Sequence, residues 1–355
     1  MTKLNLAVNN HVQNDPDEVH GSSKKPAQAV SLMMDKASMT IDVHEKEDQI
    51  GVRDLIRAWT KAEEFPEMGW KRGPVGGYRL AAKIYFPDAK SGQWSEKHIA
   101  LFQVDPKSET ARFVRVEWNP AKLSAEETNY LFDQLELFLQ VPRSTFLDAK
   151  ITRFDVAVDV SDARPGDFIF ELVKPFKRTA IYSKKGVLET LYLKRLKKRR
   201  GVMIYDKAVQ AKLPDLLTRI EICHDPRHLT VAELAAVENP FNRISVFDVQ
   251  SADCGLGQLE RALLREGAGA IGLKPCLAHF PANRRSELLK AITGSVPEFW
   301  KPNELWKPWS QVVEAAFPKV FSPPAALTQP ISGFAAPTGP TSGNTVQQTQ
   351  PSQMM

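Results

Sequence analysis

The 355-residue sequence is poor in cysteine. Its three cysteines, Cys223, Cys254 and Cys276, show no Cys-x-x-Cys spacing. That pattern excludes a zinc knuckle or a redox pair and fits thiols kept reduced in a cytoplasm. No apolar run approaches the ~18 residues that a membrane helix needs, and the N-terminus lacks the apolar core of a signal peptide. A cytoplasmic protein without a membrane partner is expected. The chain carries no long tandem repeat, which excludes a solenoid. Net charge is small as well, only +5. What is present is an ordinary supply of core residues: 43% of the chain is apolar and 25% charged. That suffices for one large domain or two ordinary ones.

The small net charge hides a segregated one. Between Lys174 and Lys207 stand twelve Lys or Arg and two acids, so this window alone is +10. At its centre Lys194, Arg195, Lys197, Lys198, Arg199 and Arg200 fall within seven positions. Clustered cations of this kind fit a nucleic acid or an anionic membrane surface; the plain alternative is a solvated hairpin. The cluster lacks an amphipathic helix, which weighs against a membrane.

Residues 1–35 are polar and aperiodic and are expected to form a disordered arm. Strand-like runs follow near 38–43, 78–86, 98–104 and 112–118, divided by polar turns, which favours an antiparallel meander. A helix is expected near 52–62, with Leu55, Ile56 and Trp59 on one face. A second is expected over 124–140, where Ser124 and Glu127 make a capping box and Leu131, Leu135, Phe138 and Leu139 a stripe. Ile151–Val160 alternates strictly, Phe154, Val156, Val158 and Val160 against Asp155, Ala157 and Asp159. Residues 165–174 read as helical, 208–213 as a short helix and 217–223 as a strand. From 229 to 320 the pattern is helical, and 321–355, rich in Pro, Ser, Thr and Gln, reads as a disordered tail. Residues 36–228 thus form the expected functional domain. Trp300, Trp306 and Trp309 have two readings, stacking on unpaired bases or pinning a terminal helix to a core.

Three β-prone runs share the form Arg–apolar–acid: Arg115-Val116-Glu117, Arg153-Phe154-Asp155 and Arg219-Ile220-Glu221. In a strand the Arg and the acid of each triplet point to one face. Gathered on one sheet face, the acids form either a ladder of cross-strand ion pairs or a site for Mg²⁺ or Mn²⁺, with the arginines as supports. Asp155 and Asp159 share a face but lie about 13 Å apart along a strand, so Asp155 with Glu221 is the better ligand pair. Glu117 and Asp159 are weaker candidates. Tyr205, directly after the basic cluster, is a candidate nucleophile, and an extended chain puts Lys207 on its face, where its charge would favour the phenolate. Tyr182 and Tyr192 are rivals from the same region.

The ordered set Val114–Pro120, Ile151–Asp159, Thr190–Leu193, Ile204–Lys207 and Arg219–Glu221 resembles the replication initiation factor family, the Rep_trans type of rolling-circle initiator. It is also similar to filamentous-phage nickases, which share the turn seen here at Asn119–Lys122. The resemblance covers residues 38–225. It implies an α+β fold with a central antiparallel sheet packed by helices, related to the His-hydrophobe-His nucleases, with a helical C-terminal part. It further implies metal-dependent nicking of one strand of a plasmid or phage double-strand origin with a hairpin. Tyr205 would form a 5′-phosphotyrosyl bond, leave a 3′-OH primer and later take part in strand joining. Asp155 and Glu221 would hold the ion. Single-stranded DNA, a host helicase, a DNA polymerase and a second copy of the chain are the partners so implied. The chain departs from these relatives in lacking a His-hydrophobe-His triplet and in carrying Lys194-Arg195 where Gly-Ser often follows the Thr-x-Tyr strand. A non-catalytic origin-binding regulator on the same scaffold is the alternative.

Overall fold

The computed structural model describes residues 30–61, 69–88, 92–174, 176–195, 201–226 and 229–321. The expected arm, apart from its last residues, and the expected tail beyond 321 lie outside these residues. The chain divides into two compact units. One is Met34–Phe154 with Asp225–Val237 and Ser310–Met355; the other is Met1–Met33 with Asp155–His224 and Glu238–Trp309.

In chain order the first elements are β1 (Val30–Ile41), α1 (Lys46–Lys61), β2 (Trp70–Arg72), β3 (Tyr78–Ile84), β4 (Pro87–Asp88), β5 (Gln93–Trp94), β6 (Ala100–Pro106), β7 (Val114–Trp118), α2 (Ala125–Leu139) and β8 (Lys150–Ser161). The unit built on Met34–Phe154 orders its main strands β8-β1-β7-β6-β3-β2. The registered pairs within it, β1–β7, β7–β6, β6–β3 and β3–β2, are all antiparallel. The meander expected from the polar turns is therefore present. Alternation explains its layering: Met39, Val116, Phe102 and Ala82 stand in one register row and are all fully buried. Helix α2 closes that side. Ser124 accepts the Glu127 N–H at 3.1 Å and Glu127 accepts the Ser124 N–H at 2.7 Å, the expected capping box. Leu131, Leu135 and Phe138 are buried as the stripe requires. Phe138 stacks on Trp70 at 5.0 Å and meets Phe102 edge-on at 4.9 Å. Such ring pairs add about 0.5–1.5 kcal/mol each beyond the area they bury. In α1 the buried face is Val52 with Ile56, whereas Leu55 is exposed, which corrects the expected stripe. The Trp59 side chain lies outside the described residues.

The chain continues through β9 (Ile169–Leu172), β10 (Phe176–Tyr182), β11 (Leu188–Arg195), β12 (Gly201–Asp206), α3 (Lys207–Ala211), β13 (Leu217–His224), α4 (Val231–Leu234), β14 (Ile244–Phe247), α5 (Gln258–Ile271), α6 (Leu273–Leu277), α7 (Ala282–Gly294), α8 (Pro302–Trp306) and α9 (Trp309–Ala316). The second unit orders its main strands β10-β11-β12-β13-β8, with antiparallel registers from β10 to β13. Residues 165–174 are not helical: Pro165–Asp167 make a single turn, and Ile169–Leu172 pair with Ile244–Phe247. The distant partner strand overrides the local pattern. The helical stretch that follows has its own core, in which Leu264, Ala268, Leu277, Leu288 and Ile292 close on Ile169 and Val249. Trp300 is buried and donates its indole N–H to the Ile244 carbonyl at 3.2 Å, and Trp306 stacks on Trp309 at 4.4 Å. The pinning reading of these tryptophans holds. Fold class is thus α+β, a large antiparallel sheet packed with helices and a helical C-terminal region. Among the described residues no helix is long and apolar enough to cross a membrane.

Candidate functional site

Strands β11, β12 and β13 build the site by register. Thr190 faces Tyr205 and Tyr205 faces Arg219; one row along, Tyr192 faces Met203 and Met203 faces Glu221. Residues directly opposed across a ladder share a face, as do residues two apart in one strand. Thr190, Tyr192, Met203, Tyr205, Arg219 and Glu221 therefore lie on one side. Gly201 permits the close approach of β12 to β11. A Cβ there would sit 2.3 Å from the Leu193 carbonyl oxygen and 3.0 Å from the Lys194 Cα.

At the centre the Tyr205 hydroxyl donates to a Glu221 carboxylate oxygen at 3.3 Å. Both residues are buried, Tyr205 to 6% exposure and Glu221 to 9%. Next to them the Arg219 guanidinium forms a fork on Asp159, Nε to Oδ1 at 2.6 Å and Nη2 to Oδ2 at 2.8 Å. Its Nη2 also contacts the Met33 sulfur at 3.2 Å. A buried bidentate pair of this kind is strong and fixes orientation. Asp159 is thereby engaged as the counter-ion of Arg219. Asp155, on the same strand, is buried to 1% exposure.

Lys207 reaches Tyr205 by a different route from the one expected. The chain does not stay extended, because the Asp206 side chain accepts the Val209 N–H at 2.9 Å and caps α3 at once. From the first turn of that helix Lys207 places its amine 5.9 Å from the Tyr205 ring centroid and bonds Gln210 at 2.8 Å. Gln210 gave no functional signal in the sequence, and Thr190 gave one only as the first residue of the Thr190–Leu193 run. Only the register and the helix turn bring them here.

Of the basic cluster, Lys194 is exposed with its amine 5.2 Å from the Tyr192 ring centroid. Lys197, Lys198, Arg199, Arg200 and the Arg195 side chain lie outside the described residues. Glu117 belongs to the other unit. There Lys36 bonds one of its oxygens at 2.5 Å and Arg115 the other at 2.5 Å. Burial raises the Glu117 pKa, but Lys36 and then Arg115 outweigh it and hold the carboxyl below its ordinary value. In this unit the Glu117 carboxylate is held in a ladder of ion pairs. Arg115 also donates to Gln103 at 2.6 Å. Arg153 is half-buried on β8. Among the described residues no three His, Cys, Asp or Glu side chains converge as a metal-binding group. Asp155 and Glu221 remain as the carboxylates of the site face. Two carboxylates suit Mg²⁺, which commonly completes its shell with water and substrate phosphate.

No family model matches the sequence. Two proteins of Staphylococcus aureus named replication initiation protein do. One is 26% identical over 183 residues, 46% of this chain and 56% of the relative. The other is 27% identical over 169 residues, 42% of this chain and 51% of the relative. Over this span the chain is similar to replication initiation proteins. This similarity supports the initiator resemblance read from the motifs. The match spans about half the length of these curated relatives. Among solved structures, a rolling-circle replication initiator protein from Geobacillus stearothermophilus aligns with a TM-score of 0.31 and 17% identity, covering 56% of this chain and 76% of that one. The site face thus presents Tyr205 bonded to the buried Glu221, with Arg219 on the same face held by Asp159.

Proposed function

We propose that the chain initiates rolling-circle replication by nicking one strand of an origin through Tyr205. The observation that carries the reading is the 3.3 Å hydrogen bond from the Tyr205 hydroxyl to Glu221, beside the Arg219 fork and the Lys207 amine. A tyrosine of ordinary pKa near ~10 is a weak nucleophile at neutral pH and needs an acceptor for its proton. Glu221, already its hydrogen-bond acceptor, would take it. The phenolate oxygen then bonds to phosphorus and the bond from phosphorus to the 3′-oxygen breaks. The proton ends on that oxygen, which becomes the 3′-OH primer, and the 5′ end stays on Tyr205. Arg219 and Lys207 supply positive charge where the phosphate develops negative charge. Joining is the reverse transfer.

Asp155 and Glu221 are the residues that would hold Mg²⁺ or Mn²⁺. When bound, such an ion would polarise the scissile phosphate. Origin DNA is the proposed substrate, and Lys194 with its neighbours in the basic cluster its proposed contact. A helicase, a polymerase and a second copy of the chain are partners proposed from the resemblance.

Tyr205 is only 6% exposed. Substrate binding must uncover its oxygen, and that burial favours one other reading, an origin-binding regulator that never cleaves. A single assay separates the two. The chain is incubated with Mg²⁺ and a supercoiled plasmid carrying its own origin, then run on a denaturing gel. Nicking with a covalent protein–DNA adduct, both lost in Tyr205→Phe while binding persists, supports the enzyme. An adduct that survives in Tyr205→Phe removes Tyr205 as nucleophile. Salt-sensitive binding without cleavage in any metal leaves the regulator.

A further inference from the structure

A second basic feature lies in the unit built on Met34–Phe154. Lys71 of β2 and Lys83 of β3 stand directly opposite each other in the ladder. Like charges opposed across a sheet repel. Among the described residues neither lysine forms an ion pair, and Glu96 on the adjoining turn bridges to neither. The charges are combined with aromatic surface. The Lys71 amine is 4.9 Å from the Tyr85 ring centroid, and Tyr85 meets His98 at 6.2 Å.

The turn that brings His98 there is fixed. The Ser95 hydroxyl accepts the Phe86 N–H at 3.1 Å and donates to the Lys97 carbonyl at 2.8 Å. The Ile99 N–H then bonds the Ile84 carbonyl at 2.7 Å. Lys71 and His98 are exposed, Lys83 and Tyr85 half-buried. Partial desolvation, and then the charge of Lys83, hold the His98 pKa below its ordinary value. Among the described residues the group lacks a paired acid.

We infer that Lys71, Lys83, Tyr85 and His98 form a second contact for single-stranded nucleic acid, the lysines on phosphates and the rings as a stacking surface for a base. Two cations beside a paired aromatic platform suit a strand whose bases are unstacked, since every base offers a π-face while the backbone supplies the charge. A duplex, with its bases shielded, would use the lysines alone. The inference rests on DNA as the proposed substrate and is independent of the tyrosine chemistry.

The test measures binding of a fluorescent oligo-dT by the full chain across a salt series, without metal. The double variant Lys71→Ala/Lys83→Ala should bind about tenfold more weakly, and its log–log salt slope should fall by about 1.4, the release expected for two contacts to a single strand. Tyr85→Ala should weaken binding with little change of slope. A photo-crosslink from 5-iodouracil should map to the peptide holding Tyr85. The gentler pair Lys71→Gln/Lys83→Gln, with an unchanged melting curve, guards against a folding defect. Wild-type affinity and slope in the lysine variants, or crosslinks that avoid Tyr85, overturn the inference. If Tyr205→Phe binds as the parent does, nucleophile and patch are separate matters. If the unaltered chain binds no oligonucleotide, the DNA reading falls with this one.

Discussion

The same tripeptide pattern does two different jobs in the two units. In β7 the Arg115 guanidinium turns back on its own triplet and pairs with Glu117 at 2.5 Å, with Lys36 on the other oxygen. In β13 the Arg219 guanidinium forks onto Asp159, and Glu221 accepts the Tyr205 hydroxyl. The residues of the triplet do not decide between the two. What decides is whether a neighbouring strand offers the arginine a better acid. In β7 the carboxylate is held ionised between two cations. In β13 it accepts the Tyr205 hydroxyl. A stabilising ladder and a candidate reaction centre therefore differ by the placement of one aspartate.

The difference is sharpest at Glu221 itself. Glu221→Gln keeps the size of the side chain and removes the proton acceptor. The proposed nicking rate should fall by about 10²–10⁴, the usual contribution of a positioned base. Single-turnover cleavage at saturating DNA measures it, with Asp155→Asn run alongside to test whether the Mg²⁺ requirement rises. Equal rates in Glu221→Gln and the parent would return Glu221 to the status of Glu117, an acid on a ladder.

Asp159→Ala should come next in size. It strands a buried guanidinium, and breaking such a pair costs about 3–5 kcal/mol. Urea denaturation reads the loss. A second outcome follows from the comparison: Arg219 released from Asp159 is expected to turn toward Glu221, as Arg115 does toward Glu117, and to compete with Tyr205. Arg219→Met/Asp159→Leu, which removes both charges, should recover much of the stability and none of the nicking. If the single variant is as stable as the parent, the fork is not what holds the arginine away.

How much of this was legible in the sequence depends on how local its cause is. The capping box of Ser124 and Glu127 needs only residues three apart, and it is present. The alternation in β8 marks a strand, and one runs over Lys150–Ser161. Residues 165–174 were misread because Ile169–Leu172 find their pairing partner at Ile244–Phe247, more than seventy positions on. The Arg219 fork on Asp159 is a contact between residues sixty apart, and no spacing rule reaches so far. Tyr205 is on the expected strand with the expected acid beside it. Its burial depends on what covers the strand, which a period of two cannot state. Lys207 shows the reverse case. Its closeness to Tyr205 was expected from an extended chain and is delivered by a helix, because the intervening Asp206 is a good cap.

Glu117 offers the smallest and most specific test. Burial raises the pKa of its carboxyl, and Lys36 and Arg115 lower it more strongly, so its folded pKa lies below the ordinary carboxylate value. A depressed acid contributes stability that is present above its unfolded pKa and lost as pH falls through the folded value. The contribution should therefore be whole above about pH 5 and fade below the ordinary carboxylate range. Glu117→Gln removes it. At neutral pH the variant should be less stable by roughly 1 kcal/mol, since the pair is partly open to solvent. In acid the two chains should converge, and the gap between their urea midpoints should close as pH drops below the ordinary carboxylate range. A gap that stays constant with pH would mean that Glu117 contributes through packing alone, and the electrostatic contrast with Glu221 would lose one of its two sides.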